Sequence, residues 1–197
     1  MAVDQAVSGD GEAPAAGGRS ISRRSLIAAG IAAAGLAAAG PAEAARRLVR
    51  ERSLYIANPH TGETFRDVYW ANGKPDKQAI RRIHWLMRDF RTDIIHPIDP
   101  DLIVLLYGIQ SRFGGVRRPL YLLSGYRSPQ TNTMLIEEGH GAVDNSQHLY
   151  GKAADIHVEG ARLGDVRRAA MSFRAGGVGT YWHNGFVHVD TGRVRYW

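Results

Sequence analysis

Two short segments in the second half of the chain alternate apolar and polar residues, and this alternation constrains the fold more than any other feature. The segments are "ADIHV" at 154–158 and "FVHVD" at 186–190. Residues two apart on a strand point to the same face, so the Ile and Val residues of both segments share one face. The opposite face then carries Asp155, His157, His188 and Asp190. We expect two neighbouring antiparallel strands whose apolar face packs against helices and whose polar face forms a site.

Several other segments predict the helices that would cover this sheet. Apolar residues recur at helical spacing in 77–90, directly after the candidate N-cap Asp76, and in 161–177. The segment 99–114 predicts a more buried helix, and 131–138 predicts a short one.

Further strands are predicted on either side of these helices. A hairpin is indicated around "NPHTGE" at 58–63, a central strand in "PLYLLSGYRS" at 119–128, and a second hairpin turning at Asn184 and Gly185. The sequence therefore predicts an α+β fold, with a small antiparallel sheet packed against helices.

The first 44 residues are predicted to be an export signal rather than part of the fold. Arg23 and Arg24 precede an Ala- and Gly-rich apolar run from Ile27 to Gly40, as in twin-arginine signals, and small residues at 42–44 favour cleavage after Ala44. The alternative is an uncleaved anchor, although the run is short for a spanning helix, which needs about 20 strongly apolar residues. We expect a single domain at 45–197, without a membrane span once the signal is removed.

The charge of the chain points to an anionic partner. The formal net charge is +6, and residues 1–44 hold three basic and four acidic residues, so the mature chain would carry +7. Nucleic acid, a membrane surface and a cell-wall polymer all fit a basic protein, but export makes nucleic acid the weakest of the three.

The absence of cysteine limits the kinds of site that the chain can form. All 197 residues lack cysteine. Disulfides, thiolate metal ligands and a Cys nucleophile are therefore excluded, and any metal must be held by His and carboxylate groups.

A candidate ligand set follows from the stretch "SQHLYGKAADIHVEG" at 146–160. His148 lies in the loop that enters the first polar strand, with six residues between it and Asp155. Together with His188 these residues make a His/Asp/His set, and three protein ligands leave a fourth position on zinc for water. The alternative is that each is an ordinary, partly exposed polar residue.

The same regions resemble a known family of zinc peptidases. The motifs "SGYRS" (124–128), "SQHLYGKAADIHV" (146–158) and "GFVHVDTGRVRYW" (185–197) are similar to the M15-type peptidases, and most closely to their exported DUF882 branch of murein endopeptidases. The resemblance implies the M15/hedgehog-type fold, with zinc held by His148, Asp155 and His188. It also implies that Arg127 stabilises a substrate carbonyl or carboxylate. Ser146 and Gln147 would orient the peptide, or serve only as turn residues.

The family pattern is broken near the last ligand, so the general base is unassigned. Many M15 enzymes place a Glu three residues before that ligand or a His two residues before it. This chain has Gly185 and Phe186 at these two positions. One candidate is His183, which would pair with Phe186 across the predicted hairpin. The other is Asp190, which could act as a base or, as we favour, hold a ligand imidazole through its second nitrogen.

The resulting functional expectation is an exported, monomeric zinc metallopeptidase of the periplasm or cell envelope that cleaves peptidoglycan cross-links. Two alternatives stay open: a zinc-stabilised cell-wall binding module without catalysis, and a carboxypeptidase that removes terminal D-Ala.

Overall fold

The computed structural model describes residues 51–139 and 141–197. The predicted signal at 1–44 lies outside the described residues, as do 45–50 and His140. Among the residues described, no helix is both long enough and apolar enough to cross a membrane.

Eight strands within the described ranges form one mixed sheet. In chain order they are β1 (Glu51–Ala57), β2 (Thr64–Ala71), β3 (Lys74–Pro75), β4 (Leu120–Ser124), β5 (Ala153–Val158), β6 (Gly177–Tyr181), β7 (Phe186–Asp190) and β8 (Arg195–Tyr196). Their spatial order is β3-β2-β1-β4-β5-β7-β6-β8. The pairs β1/β4 and β6/β8 are parallel, and the other neighbours are antiparallel.

The α+β class is confirmed, but the expectation of a small antiparallel sheet is wrong. The N-terminal hairpin joins the same sheet, with Ile56 of β1 beside Leu120 of β4 in parallel. At the other edge, Trp197 exchanges backbone hydrogen bonds with Val178 and Thr180 as the chain runs parallel to β6. A local pattern identifies a strand but not its neighbour, because the pairing depends on residues far away in the chain.

Four helices in the described ranges accompany the sheet, at the places that the sequence predicts. They are α1 (Lys77–Leu86), α2 (Pro100–Ser111), α3 (Pro129–Glu137) and α4 (Leu163–Phe173). The predicted N-cap of α1 is confirmed, because the Asp76 carboxylate accepts a 2.7 Å hydrogen bond from the backbone N–H of Ala79. Asp99 and Ser128 cap α2 and α3 in the same way.

The helices α1, α2 and α4 contact the sheet and cover its apolar face. The alternation of the two polar strands is confirmed, because four of their apolar side chains are fully buried in this core: Ile156, Val158, Val187 and Val189. Complete burial of such a side chain contributes about 1.5–3 kcal/mol. This packing determines which face of β5 and β7 is left for the polar residues.

Candidate metal centre and its cleft

The predicted neighbouring strands pair in the register that brings their polar residues together. Asp155 of β5 lies directly opposite His188 of β7, and on its other side it lies opposite Ser124 of β4. All of these pairs are antiparallel, so the prediction of two adjacent antiparallel strands is confirmed. Asp155 therefore lies at the centre of the polar face.

His148 reaches the same point from a short 3-10 helix, Gln147–Tyr150, that leads into β5. The Ser146 hydroxyl accepts a hydrogen bond from the His148 backbone N–H at 3.4 Å, which starts this turn. The imidazole is buried, and its Nδ1 lies 2.6 Å from the carbonyl oxygen of Gly125. A carbonyl oxygen only accepts hydrogen bonds, so Nδ1 carries the proton and the Nε2 lone pair is free.

The carbonyl group that orients His148 belongs to the "SGYRS" loop, which is held against the end of α1. Gly125 packs so closely on the Met87 backbone that a Cβ atom there would collide with the Met87 carbonyl oxygen. The next residue, Tyr126, donates its backbone N–H to that same oxygen at 2.8 Å. Further along, Asp89 accepts hydrogen bonds from the backbone N–H and hydroxyl of Ser128 at 2.9 and 2.6 Å. These contacts explain why glycine is needed at 125.

His188 is held by Asp190, two residues further along β7. The Nε2 of His188 donates to Asp190 Oδ2 at 3.0 Å. Asp190 has no solvent exposure and also accepts hydrogen bonds from the backbone N–H groups of Gly177 and Gly192 and from Arg195. Burial alone would raise the pKa of Asp190, but these hydrogen bonds hold it well below its usual range. The ionised carboxylate thus keeps the proton on Nε2 and leaves the Nδ1 lone pair free.

The three predicted ligands place their free atoms at one point. His148 Nε2 lies 3.2 Å from His188 Nδ1, and these nitrogens lie 3.4 and 2.9 Å from Asp155 Oδ1. Two unprotonated imidazole nitrogens repel one another unless a cation lies between them. Two neutral imidazoles and one carboxylate are also the donors that zinc prefers, so the residues present fit a zinc ion.

The pKa values of this set show the same need for positive charge. Burial lowers the pKa of His148 despite the opposing effect of Asp155, and the charges of Arg127 and His188 add to the decrease. For His188, burial is outweighed by the hydrogen bonds to Asp155 and Asp190, which raise its pKa to about 9. Burial would raise the pKa of Asp155, but His148 and His188 hold it far below the usual range. The two carboxylates beside His188 thus favour positive charge at this point.

The ligand set lies in a cleft of about 460 Å³. Three arginines line this cleft, namely Arg91, Arg127 and Arg195. Among the described residues that line it, Asp155 is the only acid. One wall is aromatic, because Tyr181 stacks on Phe186 at a centroid distance of 4.5 Å and the Trp197 ring lies 5.4 Å from that of His188. The cleft therefore suits an anionic ligand with some apolar surface.

All three predicted substrate residues line this cleft. Arg127 lies beside the ligand set, with Nη2 3.4 Å from Asp155 Oδ2 and 3.3 Å from the Ser124 hydroxyl. Ser146 is buried and its hydroxyl serves the turn before His148, while Gln147 packs beside Gly192. Their positions agree with substrate contact, and the hydrogen bond of Ser146 agrees with the turn role.

The predicted geometry of His183 is wrong. Phe186 pairs with Tyr181 rather than with His183, because four residues, 182–185, form the loop between β6 and β7 instead of a two-residue turn. The loop is closed by hydrogen bonds from the backbone N–H groups of Asn184 and Gly185 to the Tyr181 carbonyl oxygen. His183 is exposed in this loop and does not line the cleft. The structure does not bring it to the ligand set.

The other predicted base, Asp190, has the supporting position that we favour. Its oxygens are buried and bonded to His188 Nε2, on the side of the ring away from the other ligands. The remaining polar residue of this face, His157, is separate from the ligand set and stacks against Tyr121. The general base therefore remains unassigned.

Sequence reasoning missed three residues that shape the site. They are Gly125, which orients His148, Arg195, which binds Asp190 with both terminal nitrogens, and Arg91 at the cleft. Gly125 and Arg91 lie in loops, and Arg195 begins the two-residue strand β8, so periodicity gave no signal for them. The "SGYRS" and "GRVRYW" motifs contain the first two, and no pattern marks Arg91.

Comparison with known proteins agrees with this site. The family model described as "Peptidoglycan L,D-endopeptidase MepK" matches residues 46–197. With its α+β fold and buried His/Asp/His set, the chain belongs to the M15-type murein endopeptidases, in the MepK branch.

Curated relatives support this membership over most of their length. The peptidoglycan L,D-endopeptidase MepK of Escherichia coli (strain K12) is 40% identical over 148 residues, which cover 75% of this chain and 81% of that protein. The protein of the same name from Shigella flexneri shows the same identity and coverage. A probable peptidoglycan L,D-endopeptidase MepK of Haemophilus influenzae is 37% identical over 148 residues, with 75% and 80% covered. No solved structure matches the chain.

Proposed function

We propose that this protein is an exported zinc metallopeptidase that hydrolyses peptide cross-links in peptidoglycan. The observation that carries the proposal is the buried set of His148, Asp155 and His188, whose free donor atoms converge at the base of a cationic cleft. Membership of the MepK family supports the substrate, since the relatives are named peptidoglycan L,D-endopeptidases.

Zinc held by these three residues would supply Lewis acidity and lower the pKa of a water molecule enough for attack at neutral pH. The protein's own part is to hold the ligands and the substrate. The Gly125 carbonyl group and Asp190 fix the two imidazoles in the tautomers that present a lone pair. Arg127, whose guanidinium contacts Asp155, would donate hydrogen bonds to the carbonyl oxygen of the scissile bond as negative charge develops there.

The proposed location is the periplasm or cell envelope. It is supported by the twin-arginine pattern at residues 22–27, by the small residues at 42–44, and by a net charge of +7 for residues 45–197. A basic surface favours binding to the anionic wall polymer, and this attraction weakens as salt screens it.

The test measures zinc content and digestion of purified cross-linked muropeptide dimers with residues 45–197 and with His188→Ala. We expect one zinc per chain in the parent and cleavage that the variant loses, because the variant removes one of three ligands. His183→Ala is the matched histidine control: it changes an exposed loop residue outside the cleft, so it should retain both zinc and cleavage. Cleavage by a protein stripped of metal would refute the proposal.

One observation favours the non-catalytic binding module as a second candidate. The cleft has no carboxylate other than the ligand Asp155 among the described residues that line it, so no Glu or Asp side chain is in place as a general base. One zinc per chain, tight binding to dimers and no cleavage would establish this alternative. A pentapeptide monomer, tested beside the dimer, separates the endopeptidase from a D-Ala carboxypeptidase.

A further inference from the structure

Arg91 is a cation at the cleft whose side chain has no anionic partner among the described residues. It follows Phe90 in the loop after α1, and its guanidinium lies over the Phe90 ring at 4.4 Å. Its guanidinium forms no hydrogen bond or ion pair with any other residue in 51–139 and 141–197. The nearby Asp89 is buried, and its Oδ1 accepts a hydrogen bond from the backbone N–H of Arg91 rather than from the guanidinium. Its Oδ2 accepts hydrogen bonds from the backbone N–H and hydroxyl of Ser128. The guanidinium of this exposed residue therefore packs over Phe90, and no other described residue takes up its donors.

Arg127, which lines the same cleft, is buried and also has unused donor capacity. Its Nε makes no hydrogen bond within the described part of the chain. Its Nη atoms contact Asn132, Ser124 and Asp155 only at 3.3–3.5 Å, beyond the usual range for N–H···O bonds. A buried donor without a partner destabilises the empty site, so a ligand that satisfies it gains affinity.

The third arginine of the cleft is already neutralised. Arg195 contacts both oxygens of Asp190, and one of its nitrogens also donates to the Arg193 carbonyl oxygen. Arg91 and Arg127 line the same cleft; burial lowers the pKa of Arg127, Asp155 opposes this shift, and the charge of Arg91 adds to it. The two guanidiniums thus form an excess of positive charge beside the metal set.

We propose that Arg91, with the free donors of Arg127, binds the free carboxylate that the substrate carries on the carbon next to the scissile nitrogen. The inference rests on the proposed function, because it assigns one group of a cross-linked peptide substrate to these two arginines. A guanidinium binds a carboxylate through two parallel hydrogen bonds, which makes Arg91 a specificity residue for the free acid. Arg127 then serves both the carboxylate and the adjacent carbonyl oxygen.

The experiment compares two cross-linked peptides that differ only in this group, one with the free carboxylate and one with the carboxamide. Their dissociation constants are measured by calorimetry with the zinc-loaded protein at low temperature, where turnover is slow, and their cleavage rates are measured with the same protein at its working temperature. The parent should bind the acid about 10–100-fold more tightly than the amide, as expected for charge-assisted hydrogen bonds. Arg91→Ala should reduce this ratio to near one by weakening binding of the acid alone, and Arg91→Lys should keep part of it.

Arg112→Ala is the matched control. Arg112 is also an exposed arginine that lies over an aromatic ring, that of Phe173, but it is outside the cleft. The control should keep the acid-to-amide ratio of the parent. An unchanged ratio in Arg91→Ala, or no preference for the acid in the parent, would overturn the inference. If neither peptide is cleaved but the binding ratio depends on Arg91, the proposed catalysis fails while the carboxylate site stands.

Discussion

Asp190→Asn tests whether the hydrogen bond to His188 sets the metal site. Asparagine keeps the shape of the side chain, and its carbonyl oxygen can still accept the N–H groups of Gly177 and Gly192 at the Oδ1 position. The amide nitrogen then occupies the Oδ2 position, 3.0 Å from His188 Nε2, where it can only donate. His188 relieves this clash by moving its proton to Nδ1, the atom that faces His148 and Asp155.

The magnitude follows from this change of tautomer. Loss of a hydrogen-bonded partner behind a ligand imidazole typically lowers metal affinity 10–100-fold, which is about 1.4–2.7 kcal/mol. The affinity is measured by competition with a chromophoric chelator, after circular dichroism has shown that the variant is folded. Arg195 also loses its ion pair with Asp190, so we expect a lower unfolding midpoint as well.

Asp165→Asn is the control, because it removes the same charge from an exposed pair with Arg162 and Arg168 on α4. It should bind zinc as the parent does. A folded Asp190→Asn protein whose zinc affinity stays within about twofold of this control would refute the view that the buried carboxylate selects the tautomer.

Three other outcomes are expected. Gly125→Ala should destabilise the fold by roughly 1–3 kcal/mol in urea unfolding, because the added Cβ collides with the Met87 backbone. It should also weaken zinc binding by moving the carbonyl group that holds His148. Unchanged stability would contradict the close approach of Gly125 to Met87. Burial raises the pKa of Tyr69 to about 12. The contribution of Tyr69 to the free energy of unfolding is therefore constant below pH 10 and decreases by up to about 3 kcal/mol as the pH rises toward 12. Tyr69→Phe should remove this part of the alkaline loss when unfolding curves of the two proteins are compared. Binding to purified peptidoglycan should weaken steadily as sodium chloride is raised, and salt-independent sedimentation would rule out an electrostatic contribution.

The shared face of Asp155 and His188 and the α+β class could be predicted because both depend on local pattern. The alternation of Ile and Val with Asp and His assigns faces to a strand without any knowledge of its neighbours, and packing against helices then decides which face is inside. Asp190 could be predicted as the support of His188 for the same reason, since the two residues share a strand face two positions apart. The N-cap Asp76 is likewise a local signal.

Only the tertiary structure decided the features that depend on distant parts of the chain. The sheet is larger than expected because β1 and β8 join it through parallel pairs that no local pattern encodes. The predicted pairing of His183 failed because Asn184 and Gly185 favour a two-residue turn, whereas the register of β6 against β7 requires a four-residue loop.

The chemistry of the site shows the same division. The sequence by itself determined which residues bring nitrogen and oxygen donors to the polar face. The tertiary structure decided which nitrogen of each imidazole is free, because for His148 this depends on the Gly125 carbonyl group, which the "SGYRS" loop presents from 23 residues away. It also placed Arg91 and Arg127 on the same cleft. The position of a loop residue is set by packing rather than by the periods of 2.0 and 3.6 residues that side chains follow in strands and helices.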